Sequence, residues 1–345
     1  MKNRVGYFDI AKGLGIILVI IGHIEYVPLE IRTYIVTFHM PVFLVISGML
    51  MHLSHEAERP WPVLIKGKLR RIMLPYLVFS ILFPIIDEIY FAVTGNTKVT
   101  SFLTNMIVGL SLTGVSVLWF LPALFLASIA VLALVKSRKR VWGIIIVLAI
   151  IAALGGAALL FRPLSLMMWR AIYCILPVLS GYLLLPLFRK AEAHPFVLLP
   201  VSATVFVMLY FTGKANGTVD LHYLVLGNPA LYFFNAMAGS LALLMLSVFL
   251  EKVLPSAVSA LLSFYGRHSL FIMITHINFF ILYLGERVGF FVSDASPFAK
   301  GWIFNIVTVI SVLCAETVMI LVWEWILQTL LPRISKLFVS RDHAK

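Results

Sequence analysis

Three ionisable side chains interrupt the first apolar run of the chain, "YFDIAKGLGIILVIIGH": Asp9, Lys12 and His23. Each is costly in hydrocarbon, so side chains of this kind face a protein interior or a polar passage and are functional candidates by default. Ten residues separate Lys12 from His23, and eleven steps along an α-helix return two side chains to one face, about 16 Å apart. Asp9 lies one turn before Lys12 on that face. A histidine among apolar neighbours is held neutral, the form that accepts a proton from a hydroxyl, so His23 suits a general base. Asp9 and Lys12 also admit a plainer reading, a paired anchor at the membrane surface.

Other polar residues join this stripe. "TFHMPVFLVISG" brings His39 into the second apolar run, and "HSLFIMITHIN" puts His276 inside a later one, with Thr275 and Asn278 beside it. Three histidines without a cysteine or a matching His-x-x-x-His face do not form a zinc site, so no metal is expected. His276 and Asn278 both carry hydrogen-bond donors. "KGKLRRIMLPY" gathers Lys66, Lys68, Arg70 and Arg71 where an apolar run begins. Such a cluster is a topology signal. It is equally a seat for phosphates, with Lys68 and Arg71 one helical turn apart.

The elements that must position these residues follow from composition. Apolar residues make up 61% of the chain and charged ones 12%, with a mean hydropathy of +1.03. Those values exclude an ordinary soluble domain. The net charge of +12 sits in short clusters between apolar runs, which argues for membrane topology and against nucleic acid. Cys174 and Cys314 both fall inside apolar runs and imply no disulfide framework. The first run lacks a cleavage motif and reads as a span, not a signal peptide.

With about 20 residues needed to cross a bilayer, ten spans are expected, near 6–24, 34–54, 72–93, 117–135, 141–161, 168–188, 195–212, 229–250, 268–286 and 302–331. The fold class is all-α, a polytopic transmembrane bundle. The bias of Lys and Arg puts both termini in the cytoplasm. Residues 95–116 are too polar to span and read as an outer loop with a short interfacial helix. Residues 213–228, rich in Gly, Asn and Asp, read as a second outer loop.

Taken together, "FDIAKGLGIILVIIGH", "FHMPVFLVISGML", "KLRRIMLPY", "LWFLPALF" and "YGRHSLFIMITH" resemble, in order and over most of the chain, the integral-membrane acyltransferases of acyltransferase family 3. Among them the chain looks most similar to the fucose 4-O-acetylase-like group, partly through "DLHYLVLGNPALYFFNAMAGS". The resemblance implies one acyltransferase domain over residues 1–345. It implies an acetyl or similar acyl group moving from cytoplasmic acetyl-CoA to a sugar hydroxyl of a lipid-linked or exported surface polysaccharide, in a bacterial cytoplasmic membrane. His23 is then base or acyl relay, with Lys12 as its basic partner and Asp9 beside it. Lys68 and Arg71 match paired basic residues of the family and, with Arg70, would hold the CoA phosphates. His39, Trp119, His276 and Asn278 fall on or beside motif positions as candidate substrate contacts. Lys12 and Lys68 stand where many members have Arg, keeping the charge but not the two-pronged donor.

A proton-coupled transporter is the rival class, for which Asp9, Lys12, His23, Asp87, Glu88 and Glu316 could form a relay. The order of the motif set and the lack of an internal repeat favour the transferase.

Overall fold

Hydrocarbon offers backbone amides no water, so apolar runs that cross it fold as helices, which satisfy every N–H and C=O internally. The computed structural model describes residues 5–24, 26–94, 102–112, 116–137, 162–277, 280, 281, 288, 291 and 302–330. Among the described residues there is no strand, only one isolated bridge between Asp220 and Val225. Eight stretches among the described residues are long and apolar enough to span a membrane, or nine if a helix pair broken at His268 counts as one more. The run expected at 141–161 lies outside the described residues, as does much of 268–286.

Among the described residues the α-helices are α1 (Gly6–His23), α2 (Leu29–Val36), α3 (Pro41–Leu53), α4 (Trp61–Lys68), α5 (Leu74–Thr94), α6 (Phe102–Leu110), α7 (Phe120–Lys136), α8 (Arg162–Ala191), α9 (Pro195–Asn216), α10 (Pro229–Val253), α11 (Ser256–Arg267), α12 (Ser269–Thr275) and α13 (Trp302–Trp325). Starts are written in the sequence. Pro41, Pro195 and Pro229 open their helices, where a missing N–H costs nothing and the fixed φ is already helical. The Asn228 side chain caps α10 by accepting from the amides of Ala230 and Leu231 at 3.0 and 3.2 Å, two of the donors a helix start leaves over.

Two boundaries differ from expectation. The second apolar stretch begins at Leu29 as α2 and turns at 37–40 before α3. The third begins at Trp61, because α4 passes through a π-helical turn, Leu69–Met73, straight into α5. The cationic cluster therefore lies on a continuous helix and not in a loop ahead of one. The expected short helix in 95–116 is α6, to which Tyr76 of α5 donates a hydrogen bond at the Gly109 carbonyl.

The chain divides into two compact units, Met1–Gly22 with Pro28–Arg267, and His23–Val27 with His268–Lys345. In the first, α3 and α8 touch backbone to backbone: Gly48 lies against the Val178 carbonyl and Gly181 against that of Val45. Without a hydrophobic drive between helices in lipid, close van der Waals packing across small residues supplies the attraction. The start of α1 is tied down by Tyr7, whose hydroxyl donates to Glu192 at 2.6 Å. Gly13 and Gly266 let α1 cross the backbone of α11.

In the second unit, α12 and α13 run past each other with three fastenings: Thr275 on Glu316, Phe271 stacked on Trp323 and His268 at 3.5 Å from Glu324. The turn after α1 is fixed to the same helix, since Asn305 donates to the Tyr26 carbonyl at 3.1 Å and the Tyr26 ring packs on Phe304.

Candidate active site

His23 ends α1 and is exposed. Its Nδ1 lies 3.5 Å from Nε2 of His276, with the rings edge to face at 5.1 Å between centroids. His276 is fully buried, and its Nδ1 lies 2.9 Å from the Ile272 carbonyl. A carbonyl can only accept, so this nitrogen carries a proton. In neutral His276 the Nε2 lone pair then faces His23 and accepts from its Nδ1–H. That arrangement leaves Nε2 of His23 as the proton acceptor. The residue is exposed and oriented by its neighbour.

Next to His276, Thr275 meets both oxygens of Glu316, at 2.7 and 2.9 Å. Glu316 is wholly buried on α13. It joins two helices and fixes the turn that carries His276.

In the other unit, Asp9 and Lys12 form an ion pair at 2.8 Å, with Asp9 almost fully buried and Lys12 about one-fifth exposed. Their spacing of three along α1 makes the contact. Lys68, Arg70 and Arg71 come together in a cavity of about 300 Å³, whose wall also holds Arg59, Lys66 and Glu56. Five cations thus face one carboxylate. Lys68 is buried and paired with Glu56 at 2.8 Å, while Arg70 and Arg71 are exposed. The Arg71 guanidinium folds back to 3.2 Å from where a Cβ on Gly67 would stand. Glycine at 67 keeps that space open for it. Such a concentration of donors suits a polyphosphate.

Of the remaining candidates, His39 sits in the turn between α2 and α3, buried, and its Nδ1–H donates to the Ile35 carbonyl at 3.1 Å. Its contact there is structural. Asn278 lies outside the described residues. Trp119 is buried ahead of α7 beneath the 217–228 turn, its ring 6.1 Å from His222 and 5.3 Å from the guanidinium of Arg170.

Arg170 was not among the residues the sequence singled out, since it falls near the edge of an expected span and reads as a flank. It is 1% exposed. Its Nε and Nη2 both donate to the His222 carbonyl, and Asp220 caps the same turn by accepting from the amides of His222 and Tyr223. The guanidinium fastens the turn over Trp119. Arg170→Ala is expected to free residues 217–228, making them cleave roughly tenfold faster in limited proteolysis, as loss of a hydrogen bond to a charged group implies. Unchanged cleavage would mean the turn holds without it.

One unit carries a cation-lined cavity on membrane-length helices, and the other carries an oriented histidine. Residues 5–326 match the family model described as an acyltransferase domain, that of acyltransferase family 3, and the chain belongs to that family. It is a multi-pass membrane acyltransferase. No curated protein and no solved structure gave a significant match.

Proposed function

We propose that the protein moves an acetyl or similar short acyl group from acyl-CoA to a sugar hydroxyl of a lipid-linked or exported surface polysaccharide, in a bacterial cytoplasmic membrane. The observation that carries this reading is the exposed His23 at the end of a chain of contacts through His276 to the Ile272 carbonyl. His23 takes the proton of the acceptor hydroxyl as its oxygen attacks the thioester carbon. The tetrahedral intermediate collapses, the C–S bond breaks, and the CoA thiolate takes back the proton from His23. Proton and acyl group both balance without a metal or redox partner.

The cavity around Lys68 and Arg71 holds the CoA phosphates in this reading, with Arg70 and Arg59 on its wall. Lys12, paired with Asp9, is the basic partner on α1 in this reading, and His276 orients the base. Trp119 and the turn above it belong to acceptor recognition, in keeping with a fucose 4-O-acetylase-like specificity.

Mass spectrometry of surface glycans from cells with and without this chain tests the reading. The expected result is loss of one acyl increment, about 42 Da for acetyl, from a saccharide unit, as exchange of a hydroxyl hydrogen for an acetyl group requires. Identical glycan spectra would sink the assignment of acceptor. On the donor side, Arg71→Ala is expected to weaken acetyl-CoA binding by roughly ten- to a hundredfold, the worth of one charge-assisted hydrogen bond, with little change in acceptor KM. Equal losses for both substrates would count against the phosphate seat.

A further inference from the structure

The cationic cavity has a neighbour. Where α4 passes through the π turn into α5, the same helix carries a groove of about 530 Å³ on its outer surface. Its walls are two rows of side chains at intervals of four: Ile65, Leu69, Met73 and Leu77 on one side, and Pro62, Lys66, Arg70 and Leu74 on the other. Residues four apart form the ridges of a helix surface, and the hollow between two such rows is a natural furrow.

Chemistry is divided along that furrow. Ile65, Leu69, Leu74 and Leu77 expose 39 to 52% of their surface, and they belong to a stretch, Trp61–Ile89, that is apolar enough to cross a bilayer. Such exposure is what hydrocarbon contact requires of a spanning helix. Lys66 and Arg70 lie one turn apart on a single wall, in the half nearer the start of the stretch. Two long basic side chains at that spacing can converge on one anion. Beyond Arg70 the groove is lined by Met73, Leu74 and Leu77 alone.

We propose that this groove holds an anionic phospholipid, its phosphate between Lys66 and Arg70 and an acyl chain along Leu69, Met73 and Leu77. The charges choose the occupant. Free phosphate would satisfy the two cations and leave the hydrocarbon wall unused, while a zwitterionic lipid would fill the wall and offer the cations no net negative charge. Only an amphiphile with an anionic head matches both halves.

The lipid site stands apart from the acyl-transfer reading but meets it at Lys66 and Arg70, which line the groove and the cavity alike. With a lipid phosphate on those two, Lys68 and Arg71 are left to the donor. Membrane composition thereby sets how many cations the donor site can use.

The test uses the full chain in detergent, titrated with phosphatidylglycerol, phosphatidylcholine or inorganic phosphate, with binding read by native mass spectrometry and melting temperature. Phosphatidylglycerol is expected to bind roughly 25-fold tighter than phosphatidylcholine, about fivefold for each basic side chain near an anionic headgroup. The Lys66→Gln/Arg70→Gln variant should lose that preference. Lys68→Gln/Arg71→Gln, whose residues do not line the groove, should keep the preference while weakening acetyl-CoA binding, so failure of the donor reading leaves the lipid result intact. Equal binding of the two lipids, protection by inorganic phosphate at the same concentration, or a preference surviving in the first variant each overturns the proposal. If that variant does not fold, a photoactivatable phosphatidylglycerol on the unaltered chain should label residues 61–77, and labelling only elsewhere overturns it as well.

Discussion

His23→Ala is expected to lower acyl transfer from acetyl-CoA by about a hundred- to ten-thousand-fold, the range of a positioned general base, with acetyl-CoA binding unchanged. The expectation rests on the tautomer. Because His276 is tied by Nδ1–H to the Ile272 carbonyl, its other nitrogen meets Nδ1 of His23 and sets the tautomer in which Nε2 of His23 is the basic nitrogen. His276→Ala should therefore cost less, roughly three- to tenfold, since it removes one neutral hydrogen bond and not the base. Acyl transfer measured in membranes from each variant decides the matter. Full activity in His23→Ala would end its assignment, and a loss for His276→Ala as deep as that for His23→Ala would make the two a single unit.

The second large effect concerns Asp9 and Lys12. Removing one partner of a largely buried pair strands the other charge, so Asp9→Ala should destabilise the fold by about 3 kcal/mol. Asp9→Ala/Lys12→Ala should recover most of that loss, because no charge is left uncompensated. Activity separates the two readings of the pair. A surface anchor would regain transfer together with stability, whereas a working Lys12 leaves the stable double variant inactive. Chemical unfolding in detergent and acyl transfer, measured on the same preparations, supply both numbers.

Much of this was legible in the sequence where local spacing decides the geometry. Three residues along one helix make the Asp9–Lys12 contact, and the cluster at 66–71 converges because consecutive helical turns bring it together. The rule that charge inside hydrocarbon must face protein singled out Asp9, which is buried, and the same rule applied to "MMWRAIYC" would have found Arg170. What stayed hidden depends on distant partners. Nothing near Lys68 in the chain announces that Glu56 will neutralise it, and nothing near His276 announces that Glu316 will hold the residue beside it. His39 depends on the bend as well. Its ring turns back on the Ile35 carbonyl of the preceding helix, a contact available only once the chain bends at 37–40.

The glycine contact between α3 and α8 sets limits on sequence drift. A methyl group on Gly48 or Gly181 would meet a carbonyl of the opposing backbone, which no rotamer change can move aside. Saturation libraries at codons 48 and 181 should return almost nothing but the original residue. Leu183 and Val207, more than half exposed, should accept any aliphatic neighbour the bilayer tolerates.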